Sequence, residues 1–248
     1  MSKSKQHLPN YKHDFLNDPR WIIKDSLHYR FHYFAGSLAE QEIDQIVSTQ
    51  ESARTKILNF LGIEGSKEPI EYYLYPNEKT KADLMGDDWY AQAIIDEFRV
   101  HTLYTDKIKP IGPHEDTHLL SLSWGDSVGF FAEGLAEYLV GQAWDGRPHL
   151  EHVKEGYAKN IYPSLADFMT HQAWLDTDDT QAIYFYSLAG AFVAFLIDFL
   201  GKDCFESFYR QSKQVNSKEQ NSQLFRSIYG RSMEEAELKF KKGIENIA

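Results

Sequence analysis

The chain has 248 residues with 37 acidic against 26 basic side chains, and its formal net charge of -11 excludes nucleic acid and anionic membrane as partners on bulk electrostatics. Hydrophobic residues at 42% and charged residues at 25% are ordinary for a globular protein, which argues against extended disorder and, at this length, allows one sizeable domain or two tightly joined lobes. One cysteine, Cys204, excludes an intramolecular disulfide and a thiolate-rich zinc site, so a metal here falls to histidine and carboxylate.

Residues 1–20 read as a polar arm, and Met1 to Asn10, with Lys3 and Lys5 but no apolar stretch behind them, shows no secretory signal. The longest apolar run, Ala189 to Leu200, is about 12 residues and contains Asp198, against the roughly 20 that span a bilayer. A cytoplasmic chain without a membrane segment is expected. Residues 27–34 are rich in aromatics and read as a strand, with His28 and His32 on one exposed face. Ser37 and Glu40 form a capping box that opens a long helix through Leu61, with Gly62 as its stop. That helix reads as scaffold. A strand over Ile70 to Tyr75, a short helix over Lys79 to Met85 and one or two strands over Ala91 to Tyr104 follow.

Pro113-His114-Glu115-Asp116-Thr117-His118 then sets two histidines four apart. Proline is welcome only in the first turn of a helix, so a helix starts at Gly112 or Pro113 and ends before Trp124-Gly125. On it, His114 and His118 share one face, where two imidazoles can bind one zinc ion, and Glu115 can reach a water on that metal. A third ligand is needed. The next helix, Phe130 to Val140 with Gly141 as its stop, carries Glu133, fifteen residues beyond His118 and set among Phe130, Phe131, Ala132, Leu135 and Ala136. A buried carboxylate there is costly without a compensating cation, and two His plus one Glu is an established zinc set. Glu137, one turn on, either accepts the other ring N–H of a ligand histidine or lies on a solvated face.

His114-Glu115-Asp116-Thr117-His118 followed by Ala132-Glu133-Gly134-Leu135-Ala136-Glu137-Tyr138 resembles the gluzincin metallopeptidases, the peptidase MA-like proteins related to thermolysin and the alanyl aminopeptidases. The close match covers about 27 residues, Pro113 to Val140, and a looser similarity of element order covers residues 27 to 200. The resemblance implies one Zn2+ per chain on His114, His118 and Glu133, with Glu115 as general base. It places Glu137 where members carry an acid behind a ligand histidine, usually aspartate. The implied fold is α+β and zincin-like. In it residues 21–248 form a single domain, a sheet-plus-helix lobe to about residue 124 and a helical lobe from about 125, with the site in the cleft between them. The implied reaction is hydrolysis of a peptide bond in a peptide or protein substrate, with Glu115 passing the proton of a zinc-activated water to the leaving amine. The alternative is a catalytically silent zinc-binding protein of the same fold, acting as a binding or regulatory module. Two departures stand out: Pro113 truncates the helix before the first histidine, and the aminopeptidase element Gly-Ala-Met-Glu-Asn is missing.

Downstream, His149, Glu151 and His152 read as exposed residues on a turn, and Pro163-Ser164 as a capped helix start. From Asp179 or Thr180 to Gly201 runs the most apolar helix, whose Ala189, Gly190 and Ala191 would admit the helix carrying Glu133 at close range. Tyr186 on it is a candidate to stabilise an oxyanion, the alternative being a core tyrosine bonded to a carbonyl, and His171 could take the same role. Two or three further helices complete the chain, one capped by Ser232 and Glu235.

Overall fold

The aromatic residues after Leu27 are extended, as their composition predicts. β1 (Trp21–Asp25) pairs antiparallel with β2 (Tyr29–Phe34), and β2 runs parallel to β3 (Ile70–Tyr75). Between β2 and β3 lie α1 (Leu38–Gln41) and α2 (Ile43–Leu61), two helices where the sequence suggests one. Ser37 accepts from the Glu40 amide at 3.2 Å, but Glu40 reaches back to the Gly36 amide at 2.6 Å. After α3 (Glu78–Met85) come β4 (Ala91–Ile94) and β5 (Arg99–Leu103), joined by a short turn in which Phe98 takes φ 51°. The sheet order is β1-β2-β3-β5-β4, with β3 parallel to β5 and β4 antiparallel to it. α4 (Pro113–Leu120) ends this part of the chain. The computed structural model describes residues 10–11 and 15–245, and the chain divides after Ser121 into two compact units.

Both faces of the sheet in the first unit are covered, and its central strand β3 is accordingly almost continuously apolar. On one face Tyr29 donates to the Gln50 carbonyl of α2 at 3.0 Å and to the Asp116 carboxylate of α4. On the other, Phe34, Tyr73, Tyr75 and Leu103 form a core with Leu84 and Phe15. Phe15 belongs to the stretch that composition marks as a polar arm, yet it is 3% exposed and stacks on Tyr11 at 4.0 Å. Of the described part of that stretch, Phe15 and Tyr11 pack into the sheet's core while Leu16 is exposed; residues 1–9 and 12–14, which include all but Asn10 of the residues read for a secretory signal, lie outside the described residues. His32 is not on an exposed face either. It is buried, 4.2 Å from the Tyr73 ring, and that ring stacks in turn on His101 at 4.8 Å.

The second unit is helical: α5 (Gly129–Val140), α6 (His149–Ala158), α7 (His171–Leu175), α8 (Ala182–Leu200), α9 (Lys202–Gln211), α10 (Lys218–Tyr229) and α11 (Met233–Glu245). α5 and α8 pack at small residues. A Cβ on Gly134 would stand 2.7 Å from the Ala189 carbonyl oxygen, and one on Gly190 would stand 2.7 Å from the Glu137 Cβ, so hydrogen at both positions sets the approach. α8 spans 19 residues, longer than its apolar run suggests, and passes for a membrane span by length and composition. Yet 61% of its apolar window is buried inside the protein, the pattern of a core helix. Ser232 accepts from the Glu235 amide at 3.3 Å while Glu235 accepts from the Ser232 amide at 2.6 Å, the capping box that the sequence predicts before α11. The whole is a mixed α+β architecture.

Candidate metal centre

α4 starts at Pro113, where proline chemistry puts it, and its cap Gly112 has φ 114°, a conformation that favours glycine. No side chain of Gly112 can cap the helix, so α2 supplies the partner. Gln50 accepts from the Gly112 amide at 2.5 Å, donates to the Gly112 carbonyl at 3.3 Å and donates to Asp116 Oδ2 at 3.1 Å. Thr117 Oγ1 donates to the Pro113 carbonyl at 2.6 Å. The first turn is therefore fixed by one buried amide side chain from another helix. Asp116 is fully buried. Burial chiefly, with the neighbouring charge of Glu115, pushes its carboxyl up to about 7 against the opposing hydrogen bonds from Tyr29 and Gln50.

On this turn the His114 and His118 rings stand 5.1 Å apart between centroids, nearly perpendicular at 77°. Glu133, from the second turn of α5, is 3% exposed. One ligand atom from each of His114, His118 and Glu133 lies within 4.8 Å of the other two. Donors on a common tetrahedral zinc at bond lengths of ~2.1 Å sit about 3.4 Å apart. Two imidazoles and a buried carboxylate also match zinc in kind, and the set fits the metal. Glu115, beside His114, is 9% exposed.

The remaining candidates fall elsewhere on α5 to α8. Glu137, 4% exposed, holds Oε2 3.5 Å from His149 Nε2, and the same nitrogen lies 3.1 Å from the Glu137 carbonyl oxygen. The solvated-face alternative for Glu137 is thus removed. His149 and His152 are not exposed on a turn: they are 8% and 3% exposed within α6, and His152 Nε2 lies 3.0 Å from Asp145 Oδ2. Tyr186 is 5% exposed between Trp144 and Trp174, at 5.8 and 5.2 Å edge-to-face. His171 opens α7 with Nδ1 close to the start of α5, 2.9 Å from where a Gly129 Cβ would be. Burial lowers its pKa, and the charges of Asp126 and Glu133 partly oppose that shift. Gln50 and His149 carry no sequence signal of these roles; Asp116 carries one, a polar residue inside the His-Glu-x-x-His motif whose helix neighbours are buried.

The chain matches no family model and no curated protein.

Proposed function

We propose that the chain is a zinc-dependent metallopeptidase of gluzincin type with a zincin-like fold, acting on peptide or protein substrates. The observation that carries this reading is the convergence of His114, His118 and Glu133 donors within 4.8 Å, with Glu115 on the same turn as His114. His114, His118 and Glu133 would hold the ion. Zinc, when bound, supplies Lewis acidity, lowering the pKa of water and polarising a carbonyl. Glu115 carries the proton: its carboxylate accepts one from the attacking water and releases it to the nitrogen of the departing amine. Gln50, through Gly112 and Asp116, holds the turn on which these groups sit. Tyr186 and His171 are the candidates to donate to the developing oxyanion.

The test has two arms. Protein expressed with ample zinc should retain close to one zinc per chain; less than about 0.2 per chain sinks the site. Wild type and Glu115→Gln are then compared on a peptide library. Removing a general base costs roughly 10²–10⁴ in rate, so the variant should keep zinc and lose cleavage by at least that lower factor. If both proteins hold zinc and are equally inert, the peptidase reading gives way to a silent zinc-binding module.

A further inference from the structure

The helical unit contains a hollow of about 820 Å3, inside the roughly 300–1,000 Å3 range of small-molecule sites. Side-chain size along α8 produces it. Gly190, Ala191 and Ala194 leave the space, Phe195 and Phe199 wall it with rings 5.7 Å apart, and Phe240 of α11 stands 5.5 Å from Phe195. Ala189 takes no part in the lining because its carbonyl lies against Gly134 of α5. Ala191, Phe240 and Ile244 in its lining are all buried. The rim is open, with Phe199 63% exposed and Asp198, Lys242 and Gly243 exposed around it.

Lysine and aspartate among the lining residues stand at that rim, while His149, which also lines the hollow, faces Glu137 at 3.5 Å. Lys239 and Lys242 are three apart on α11, hence on one side of it, against Asp198 as the one carboxylate among the lining residues. In a chain of net charge -11 this is a local excess of positive charge beside an apolar hollow. The Lys239 ammonium lies 4.3 Å from the Phe199 ring centroid, at the boundary between apolar wall and water. Lys241, between the two in sequence, is taken up by Glu237 at 2.6 Å.

We infer that this hollow binds a free long-chain carboxylate, with the hydrocarbon between α8 and α11 and the carboxylate at Lys239 and Lys242. The concavity suits a flexible apolar chain, and burial of each methylene is worth about fourfold in affinity. The site is independent of the zinc chemistry proposed above.

The experiment is displacement of a fluorescent fatty-acid analogue from the full chain by palmitate, below its critical micelle concentration. One saturable site per chain is expected, with laurate, four methylenes shorter, at least tenfold weaker. Ala194→Trp fills the hollow and should weaken palmitate at least tenfold. Gly243→Leu serves beside it, because a Cβ there meets no atom within 4 Å. The double variant Lys239→Glu, Lys242→Glu should weaken palmitate at least tenfold and leave hexadecanol unchanged, while Glu115→Gln binds as wild type does. Absence of saturable binding, indifference to both filling variants, or equal competition by hexadecyltrimethylammonium would each overturn the assignment. So would a wild-type dimer that Ala194→Trp dissociates without changing palmitate binding, since a second copy would then be the occupant. Flotation with phosphatidylglycerol vesicles but no binding of free palmitate would likewise replace the carboxylate with a lipid surface.

Discussion

Replacing Gly134 with alanine should destabilise the protein, against the usual sign of the substitution. In the middle of a helix alanine is ordinarily better than glycine by about 1 kcal/mol. Gly134, however, faces α8, and a Cβ would stand 2.5 Å from Val193 Cγ2 and 2.7 Å from the Ala189 carbonyl oxygen. The second of these is backbone, so α8 itself must move. Overpacking of this kind costs ~1–3 kcal/mol, which offsets the helix gain and leaves a net loss of up to ~2 kcal/mol. Gly243 on α11 is the internal control: its Cβ would meet nothing within 4 Å, so Gly243→Ala should stabilise by up to ~1 kcal/mol. Urea unfolding of both variants beside wild type measures the difference, with the midpoint moving and the slope m constant. Because Glu133 adjoins Gly134, zinc competition with a chromogenic chelator should also show weaker binding in Gly134→Ala alone. A Gly134→Ala protein more stable than wild type would refute the claim that this glycine sets the spacing of α5 and α8.

Gln50→Leu removes all three hydrogen bonds to Gly112 and Asp116 and leaves buried polar groups behind. At ~1–3 kcal/mol for each unsatisfied group, a loss of roughly 2–4 kcal/mol in chemical unfolding is expected, with weaker zinc binding; unchanged values would show that the clamp is dispensable. Burial, with the charges of Lys81, Arg99 and His32, holds His101 well below the ordinary histidine pKa of 6.5. The unfolded chain therefore takes up a proton that the native protein refuses, so this contribution is fully present above pH 6.5 and is lost as pH falls below it, by at most ~1.4 kcal/mol per pH unit. His101→Phe should flatten the slope of stability between pH 6.5 and 5, and parallel curves would remove His101 as its cause. Free zinc at a thousandfold excess over its Kd should stabilise the fold by about 4 kcal/mol, an increment that a chelator abolishes. Calorimetry of His114→Ala should show no such response to zinc; an equal rise in melting temperature would place the ion elsewhere.

Local chemistry was legible in the sequence, and long-range partnership was not. Pro113 fixed the start of α4, and Gly62, Gly141 and Gly201 marked the ends of α2, α5 and α8. The spacing of His114 and His118 rests on helix periodicity, and Glu133 on the next helix was marked by its apolar neighbours, both written in the residues themselves. Gln50 could not be read in this way, because its partner Gly112 is 62 residues away and an amide on a long amphipathic helix resembles any other polar position. His149 and His152 were missed for a related reason. Their neighbours Asp145, Arg147 and Glu151 are polar, so composition argues for solvent, and the contacts with Glu137, Ser187 and Asp145 supply the pairing that permits burial. Phe15 shows the reverse case, an isolated aromatic in polar surroundings whose burial depends on a sheet built later in the chain.

The brevity of α4 bears on which metal the proposed site would take up. Eight residues make little more than two turns, and a helix below about 12–15 residues is marginal by itself in water. The imidazole spacing of His114 and His118 is therefore imposed by α2 and the sheet, through Gln50 and Tyr29, rather than by the segment that carries it. Before those contacts form, the two histidines are mobile ligands, and the intrinsic order of divalent affinities favours copper over zinc for such donors. Once they form, geometry discriminates. At the proposed site metal identity would then be decided by timing: a chain folded before metallation would select by shape, and one metallated while still unfolded would select by availability and intrinsic affinity.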